Sequence, residues 1–179
     1  MGFAIHNMVI TVKFSDKVNL GLLLNKLEGA EYEPQQFPGM VYRMKKPKVS
    51  FLIFSTGKMN CAGATSLKEA KNAIDKMLKE LKRIGIKVQK PKIEVQNIVA
   101  SAKISTKLDL NKIILNLENT EYDPTQFPGL VYRMTNPKVV FLLFGTGKIV
   151  CTGAKSGKQV DEAINNLVKK LKKLRCGLG

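Results

Sequence analysis

Few side chains in this sequence are suited to making or breaking bonds, and those few are scattered. The single histidine, His6, stands beside Asn7 on an alternating segment, where a lone imidazole is more often structural than catalytic. The three cysteines, Cys61, Cys151 and Cys176, contain no C-x-x-C pair and with one histidine make no zinc ligand set. Their odd number points to a reduced intracellular setting, with Cys61 and Cys151 as small core residues. The carboxylate pairs Glu31/Glu33 and Glu121/Asp123 flank a proline turn without a pocket signature, which suits a solvated loop or a protein contact better than acid-base work. Gly145-Thr146-Gly147-Lys148 lacks the spacing and following helix of a phosphate loop and reads as a hairpin turn. What remains is non-covalent chemistry: recurring phenylalanines, amide side chains and a large excess of cations. The expectation is a binding protein, not an enzyme, with no metal, no cofactor and no small-molecule substrate.

The cations set the class of partner. Thirty Lys and Arg against fourteen Asp and Glu give a formal charge of +16, which suggests a polyanion, most commonly nucleic acid. A charge of this kind also serves solubility, so it names no particular nucleic acid. No run of about 18 apolar residues is present, so no membrane span is expected. The N-terminus has no secretory pattern, and His6 stands where a myristoylation signal needs Ser or Thr.

The elements that must position these groups come in two copies. Tyr32 to Met44 returns as Tyr122 to Met134, and from Glu31 to Ala64 23 of 34 positions are identical to those 90 residues later. A period of 90 is too long for a solenoid, so two repeats, 1–90 and 91–179, are expected. In the first, Ala4 to Phe14 alternates as a strand. Asn19 caps a short helix that Gly29 stops, with Asp109 in the same place in the second copy. Met40–Lys45, Lys48–Phe54 and Lys58–Ala64 read as an antiparallel meander. Ser66 with Glu69, and Ser156 with Gln159, are capping-box signatures, each opening a long amphipathic helix. The link from Gly85 to Pro91 is too short for freely moving domains.

Strand parity divides each meander into two faces. Val49, Phe51, Ile53, Met59 and Cys61 share one face, which the helices can cover. Asn7, Val9, Leu52, Phe54, Asn60 and Ala62 share the other, as do Asn97, Val99, Leu142, Phe144, Val150 and Thr152 in the second copy. Helices enough for one face leave the second open, and an open apolar face usually marks a binding surface. Arg43, Lys45, Lys48 and Lys58, with Arg133, Lys138 and Lys148, lie near strand ends as a basic rim. An apolar floor with such a rim fits bases against the floor and phosphates at the edge. A sandwich or an obligate dimer that buries both faces is the alternative.

These residues resemble the core domain of the TATA-box-binding protein family over essentially the whole chain. The resemblance rests on the duplicated Glu-Tyr-x-Pro-x-x-Phe-Pro-Gly-x-Val-Tyr-Arg block, on Leu-(Ile/Leu)-Phe-x-Thr-Gly-Lys, on Gly-Ala-x-Ser, and on Gln96-Asn97-Ile98-Val99. Phe-Pro-Gly in both halves is similar to the archaeal type. The resemblance implies an α+β saddle: one curved ten-stranded antiparallel sheet facing DNA on its concave side, and four main helices on the convex side. It implies a general transcription initiation factor that binds the minor groove of an A·T-rich element and nucleates the initiation complex. Phe37 with Phe54, and Phe127 with Phe144, would intercalate. Asn7, Val9, Leu52, Asn60, Ala62, Asn97, Val99, Leu142, Val150 and Thr152 would meet bases, and Arg43, Lys58, Arg133 and Lys148 would meet phosphates. Glu121, Tyr122, Asp123, Thr125 and Gln126 would contact transcription factor B and, through it, RNA polymerase. The setting would be the cytoplasm of an archaeal-type cell, or the nucleus in a eukaryote.

The chain departs from that pattern at three places. Asn60 and Ala62 stand where the family commonly has Val and Thr, Gln36 is neutral, and Lys169 to Arg175 is basic where relatives often carry an acidic tail. The Asn60 carbonyl could accept from a guanine amino group, so greater tolerance of G·C in the first half is expected. Two other classes stay open on the residues alone. A single-strand or RNA binder would stack bases on exposed aromatics, although it needs no repeat-related Phe pairs. A protein scaffold using the helices is compatible with DNA binding.

Overall fold

The computed structural model describes residues 2–104, 106–174 and 177–178, so Arg175 and Cys176 lie outside the described residues. The chain divides into two compact units, Asn7–Gln96, and Met1–His6 with Asn97–Gly179.

The first unit holds most of β1 (Ala4–Lys13), then α1 (Leu20–Lys26), β2 (Met40–Met44), β3 (Val49–Ile53), β4 (Lys58–Ala64) and α2 (Leu67–Ile84). Its strands run in the order β2-β3-β4-β1, all antiparallel. Met8, Ile10, Val12, Met40, Val49, Phe51, Ile53, Met59 and Cys61 line one face and are 0–3% exposed. The apolar stripe of α2, with Ala70, Ile74, Met77 and Leu81 all at 0%, is buried with them.

The helix ends follow the sequence signals. Asn19 accepts from the Leu22 N–H at 3.0 Å, and Ser66 Oγ accepts from the Glu69 N–H at 3.1 Å. Gly85 closes α2 with φ 111°, its N–H returning to Leu81 and Lys82. The following link is fixed to the end of β1: the Gln89 N–H donates to the Phe14 carbonyl at 2.7 Å, and Ser15 Oγ donates to the Lys87 carbonyl at 2.9 Å.

The second unit repeats the plan with β5 (Lys92–Lys103, from Asn97 onward), α3 (Leu110–Asn116), β7 (Thr120–Glu121), β8 (Leu130–Thr135), β9 (Lys138–Leu143), β10 (Lys148–Ala154) and α4 (Gly157–Leu174). Here the order is β5-β10-β9-β8-β7. A short pair, β6 (Lys107–Leu108) with β11 (Gly177–Leu178), stands apart from it. Asp109 caps α3 through the Lys112 N–H, and Ser156 accepts from the Gln159 N–H at 3.1 Å. The Gln159 side chain accepts from the Lys155 N–H, one residue before the position a capping box uses.

The fold is α+β with four main helices, as the residues imply, and four plus five strands carry the sheet among the described residues. The tenth expected strand is reduced to one bridge, Glu31 to Val41, where the second unit has β7. Both β2–β3 and β8–β9 hairpins turn through a cis X-Pro bond, Lys46-Pro47 and Asn136-Pro137.

Candidate nucleic-acid interface

In each unit the face turned away from the helices is left uncovered by the described residues. In the first unit it carries Val9, Thr11, Val41, Leu52, Phe54, Asn60 and Ala62, all half-buried beside core residues that are sealed. The second unit presents Val99, Ser101, Val131, Val140, Leu142, Phe144, Val150 and Thr152 in the same state. The parity reading of the strands therefore holds, and within each unit no second layer seals this face.

At one end of the face stand the aromatic pairs. Phe37 and Phe54 meet edge to face with centroids 6.0 Å apart at 62°, and Phe127 and Phe144 do so at 5.9 Å and 66°. Phe37 and Phe127 are each 43% exposed, unusual for so large an apolar side chain. The glycine of each Phe-Pro-Gly turn makes room for the pair. A Cβ on Gly39 would sit 2.7 Å from Phe37 Cε2 and 2.9 Å from Phe54 Cε1, and one on Gly129 would sit 2.7 and 3.0 Å from the same atoms of its pair. The turn that looked like a phosphate loop is a hairpin turn: Phe144 N–H donates to the Lys148 carbonyl, and Gly147 N–H to the Phe144 carbonyl.

Each unit also carries an oriented amide on its face. The ladder between β1 and β4 slips at Met8/Val9, and that between β5 and β10 slips at Thr152/Ala154. Gly63 and Gly153 take φ of 106° and 103° beside these slips, a conformation that glycine alone adopts cheaply. Each turns its N–H to an asparagine: Asn7 Oδ1 accepts from Gly63 at 2.7 Å, and Asn97 Oδ1 accepts from Gly153 at 2.6 Å. With the carbonyl engaged, each asparagine has its NH2 group left to present. In the second unit Thr152 Oγ1 lies 3.3 Å from Asn97 Nδ2 and shares it; Ala62 gives Asn7 no such neighbour.

The cations are distributed less simply than parity suggests. Arg43 Nη1 lies 3.4 Å from Glu31 Oε1, and Arg133 Nη1 lies 2.9 Å from Glu121 Oε1, all four side chains being more than half exposed. One pair therefore joins Arg133, a phosphate candidate, to Glu121, a partner-contact candidate. In solvent such pairs are weak, and a phosphate can replace the carboxylate. Tyr122, Asp123, Thr125 and Gln126 lie on the turn before Phe127, where Asp123 Oδ1 accepts from the Thr125 N–H at 3.1 Å. Lys58 and Lys148 are exposed at the starts of β4 and β10.

Sequence reasoning missed Lys13 and Lys103, which stand in register opposite Lys58 and Lys148 and double the cations there. The signal was available, since Val9, Thr11 and Lys13 share one parity. Ser101, Val41 and Val131 were missed for the same reason, whereas parity does put Thr11 on this face.

Both cysteines among the described residues, Cys61 and Cys151, are sealed. Burial pushes Cys61 up to about 11, with the Glu69 charge adding to it, and burial alone does the same to Cys151. Neither is a nucleophile at neutral pH. Among the described residues no group of three His, Cys, Asp or Glu could hold a metal, and no helix is long and apolar enough to cross a membrane.

Fold and face together define a duplicated α+β protein with an uncovered apolar face in each unit and exposed cations at its strand ends. The chain belongs to the TATA-binding protein family: the family model "Transcription factor TFIID (or TATA-binding protein, TBP)" matches residues 2–84 and 92–174. That is a family of general transcription factors, not of enzymes. The chain is 49% identical over 173 residues to the TATA-box-binding protein of Pyrobaculum aerophilum, covering 96% of this chain and 87% of that one. It is 48% identical over 170 residues to the one from Methanocaldococcus jannaschii, covering 94% and 93%. The solved structure "Methanococcus jannaschii TBP" superposes with a TM-score of 0.92 at 48% identity, over 97% of this chain and 99% of that one.

Proposed function

We propose that the protein binds the minor groove of an A·T-rich promoter element, one half-site to each of the repeats 1–90 and 91–179, and starts assembly of the initiation complex there. The observation that carries this reading is the pairing of exposed, glycine-cleared phenylalanines with asparagine amides whose carbonyls are already engaged. In the minor groove an A·T pair shows only acceptors, so a floor of methyl groups and a few NH2 donors matches it. The Phe pairs are wedges that part a base step and kink the duplex; proteins of this family are themselves a standard instance of that device. Lys58 and Lys148, with Lys13 and Lys103 beside them, neutralise phosphates, and Arg43 and Arg133 exchange their carboxylates for phosphates.

On the turn before Phe127, Tyr122, Asp123, Thr125 and Gln126, with Glu121, make the contact to transcription factor B and through it to RNA polymerase. The work is done in the cytoplasm of an archaeal-type cell. The test is a gel-shift competition among an A·T-rich duplex, a G·C-rich duplex and the single strands, with end-to-end fluorescence transfer on the bound duplex. Tight binding of the A·T-rich duplex with shortened ends is the expected result. Preference for the single strands would replace this reading with base stacking on exposed aromatics.

A further inference from the structure

The two repeats offer the groove unequal chemistry at one equivalent pair of positions. In the first unit Thr11 and Asn60 stand directly opposite on β1 and β4, both half-buried on the open face. Thr11 Oγ1 donates to Asn60 Oδ1 at 3.1 Å. In this contact the hydroxyl proton goes to the carboxamide oxygen, so the Asn60 amide lies with its carbonyl toward Thr11. With its carbonyl held toward Thr11, the amide has its NH2 group as the end left to bond a ligand. The second unit has the same register with Ser101 opposite Val150. Val150 has no hydrogen-bonding group, and Ser101 Oγ is already engaged by His6 Nε2 at 2.5 Å. By residue type alone the Asn60 carbonyl is free to accept from guanine; the Thr11 contact holds that oxygen toward β1 and leaves the NH2 group as the free end of the amide, which reverses the expected preference.

We infer that Asn60, oriented by Thr11, is a specificity residue that makes the first half-site stricter for A·T than the second, and so sets which way round the protein sits on an unequal element. The inference rests on the minor-groove reading above. Opposite an A·T pair the Asn60 NH2 meets an acceptor on either base, which Val150 cannot use. Opposite a G·C pair it meets the guanine amino group, and two donors face each other in a groove emptied of water. Val150 leaves only one of those donors unsatisfied. An element with G·C in one half is then bound with that half against the second repeat.

The test is selection from a duplex pool randomised across the element, using the wild type, Asn60→Val and Thr11→Val, with a uniform A·T duplex as control and thermal melting to confirm folding. For the wild type, one half of the selected element should admit G·C about tenfold less often than the other, the factor that one hydrogen bond supplies. Asn60→Val should equalise the halves. Thr11→Val keeps the shape but releases the amide, and should relax the same half although Asn60 remains. Equal strictness in the wild type, or guanine enriched in the half that Asn60→Val alters, would overturn the inference while leaving groove binding in place. A wild type with no preference for A·T-rich over G·C-rich duplex would overturn the groove reading and this inference with it.

Discussion

At the scale of single residues, Asn7 and Asn97 show how a fold assigns a side chain its role. Each amide closes the hydrogen bond of a glycine N–H displaced by a strand irregularity, and that bond decides which end of the amide faces outward. Asn7→Asp should therefore keep the Gly63 contact and fold normally, yet bring a carboxylate against base acceptors. We expect a melting temperature within a few degrees of wild type and a loss of duplex affinity of about a hundredfold or more, since a buried unpaired charge is worth several hydrogen bonds. Melting and gel-shift measurements on the same sample check this; equal losses in both would make the asparagine a fold residue. The sealed thiols give a second prediction. Native Cys61 and Cys151 hold their protons up to about 11, while unfolded thiols release theirs near 9.0. Below pH 9 both states are protonated, and the stability that burial supplies is intact. Between pH 9 and 11 the unfolded chain alone loses protons, so stability falls, by roughly 2 kcal/mol per thiol. Urea titrations across that window, beside Cys61→Ala and Cys151→Ala as shallower references, measure it.

At the scale of elements, β3 and the residue just beyond it give the sharpest contrast. Phe51 is fully sealed in the core, whereas Phe54, three positions on, lies half-buried on the open face against Phe37. Phe51→Ala should cost about 3 to 5 kcal/mol of folding free energy, and Phe54→Ala much less, because little cavity forms at an open site. Denaturant unfolding paired with fluorescence transfer on bound duplex separates the two: Phe54→Ala should straighten the DNA and leave the unfolding midpoint nearly unmoved. Most of this layer was legible in the sequence. The period-2 alternation, the caps at Asn19, Asp109, Ser66 and Ser156, and the Thr-Gly-Lys turns are local signals, and the elements they predict are present. Pairs too short to carry a period were not legible: β6, β7 and β11 are two residues each. Nor were the strand slips at Gly63 and Gly153, which depend on a partner strand more than 50 residues away.

At the scale of the whole molecule, charge and face act together. With +16 overall, association should weaken steeply with salt, at about −0.9 in log-log slope per phosphate neutralised. Lys58→Ala or Lys148→Ala should reduce that slope by roughly one unit and lower affinity alike on all sequences. A loss confined to one sequence would assign these lysines to base reading. The site was legible as a set of residue types, because duplication printed it twice, but its polar wiring was not. That Arg133 rests on Glu121, or that Thr11 takes the Asn60 carbonyl, depends on rotamers that no spacing encodes. One consequence of the half-buried valines, leucines and phenylalanines reaches beyond geometry into heat. Water held against those side chains in the free protein is released when a duplex covers them, and release from apolar surface lowers the heat capacity of the system. Titration calorimetry over a range of temperatures should show a binding enthalpy that becomes steadily more negative on warming, with association near room temperature drawn mainly by the entropy of the freed solvent.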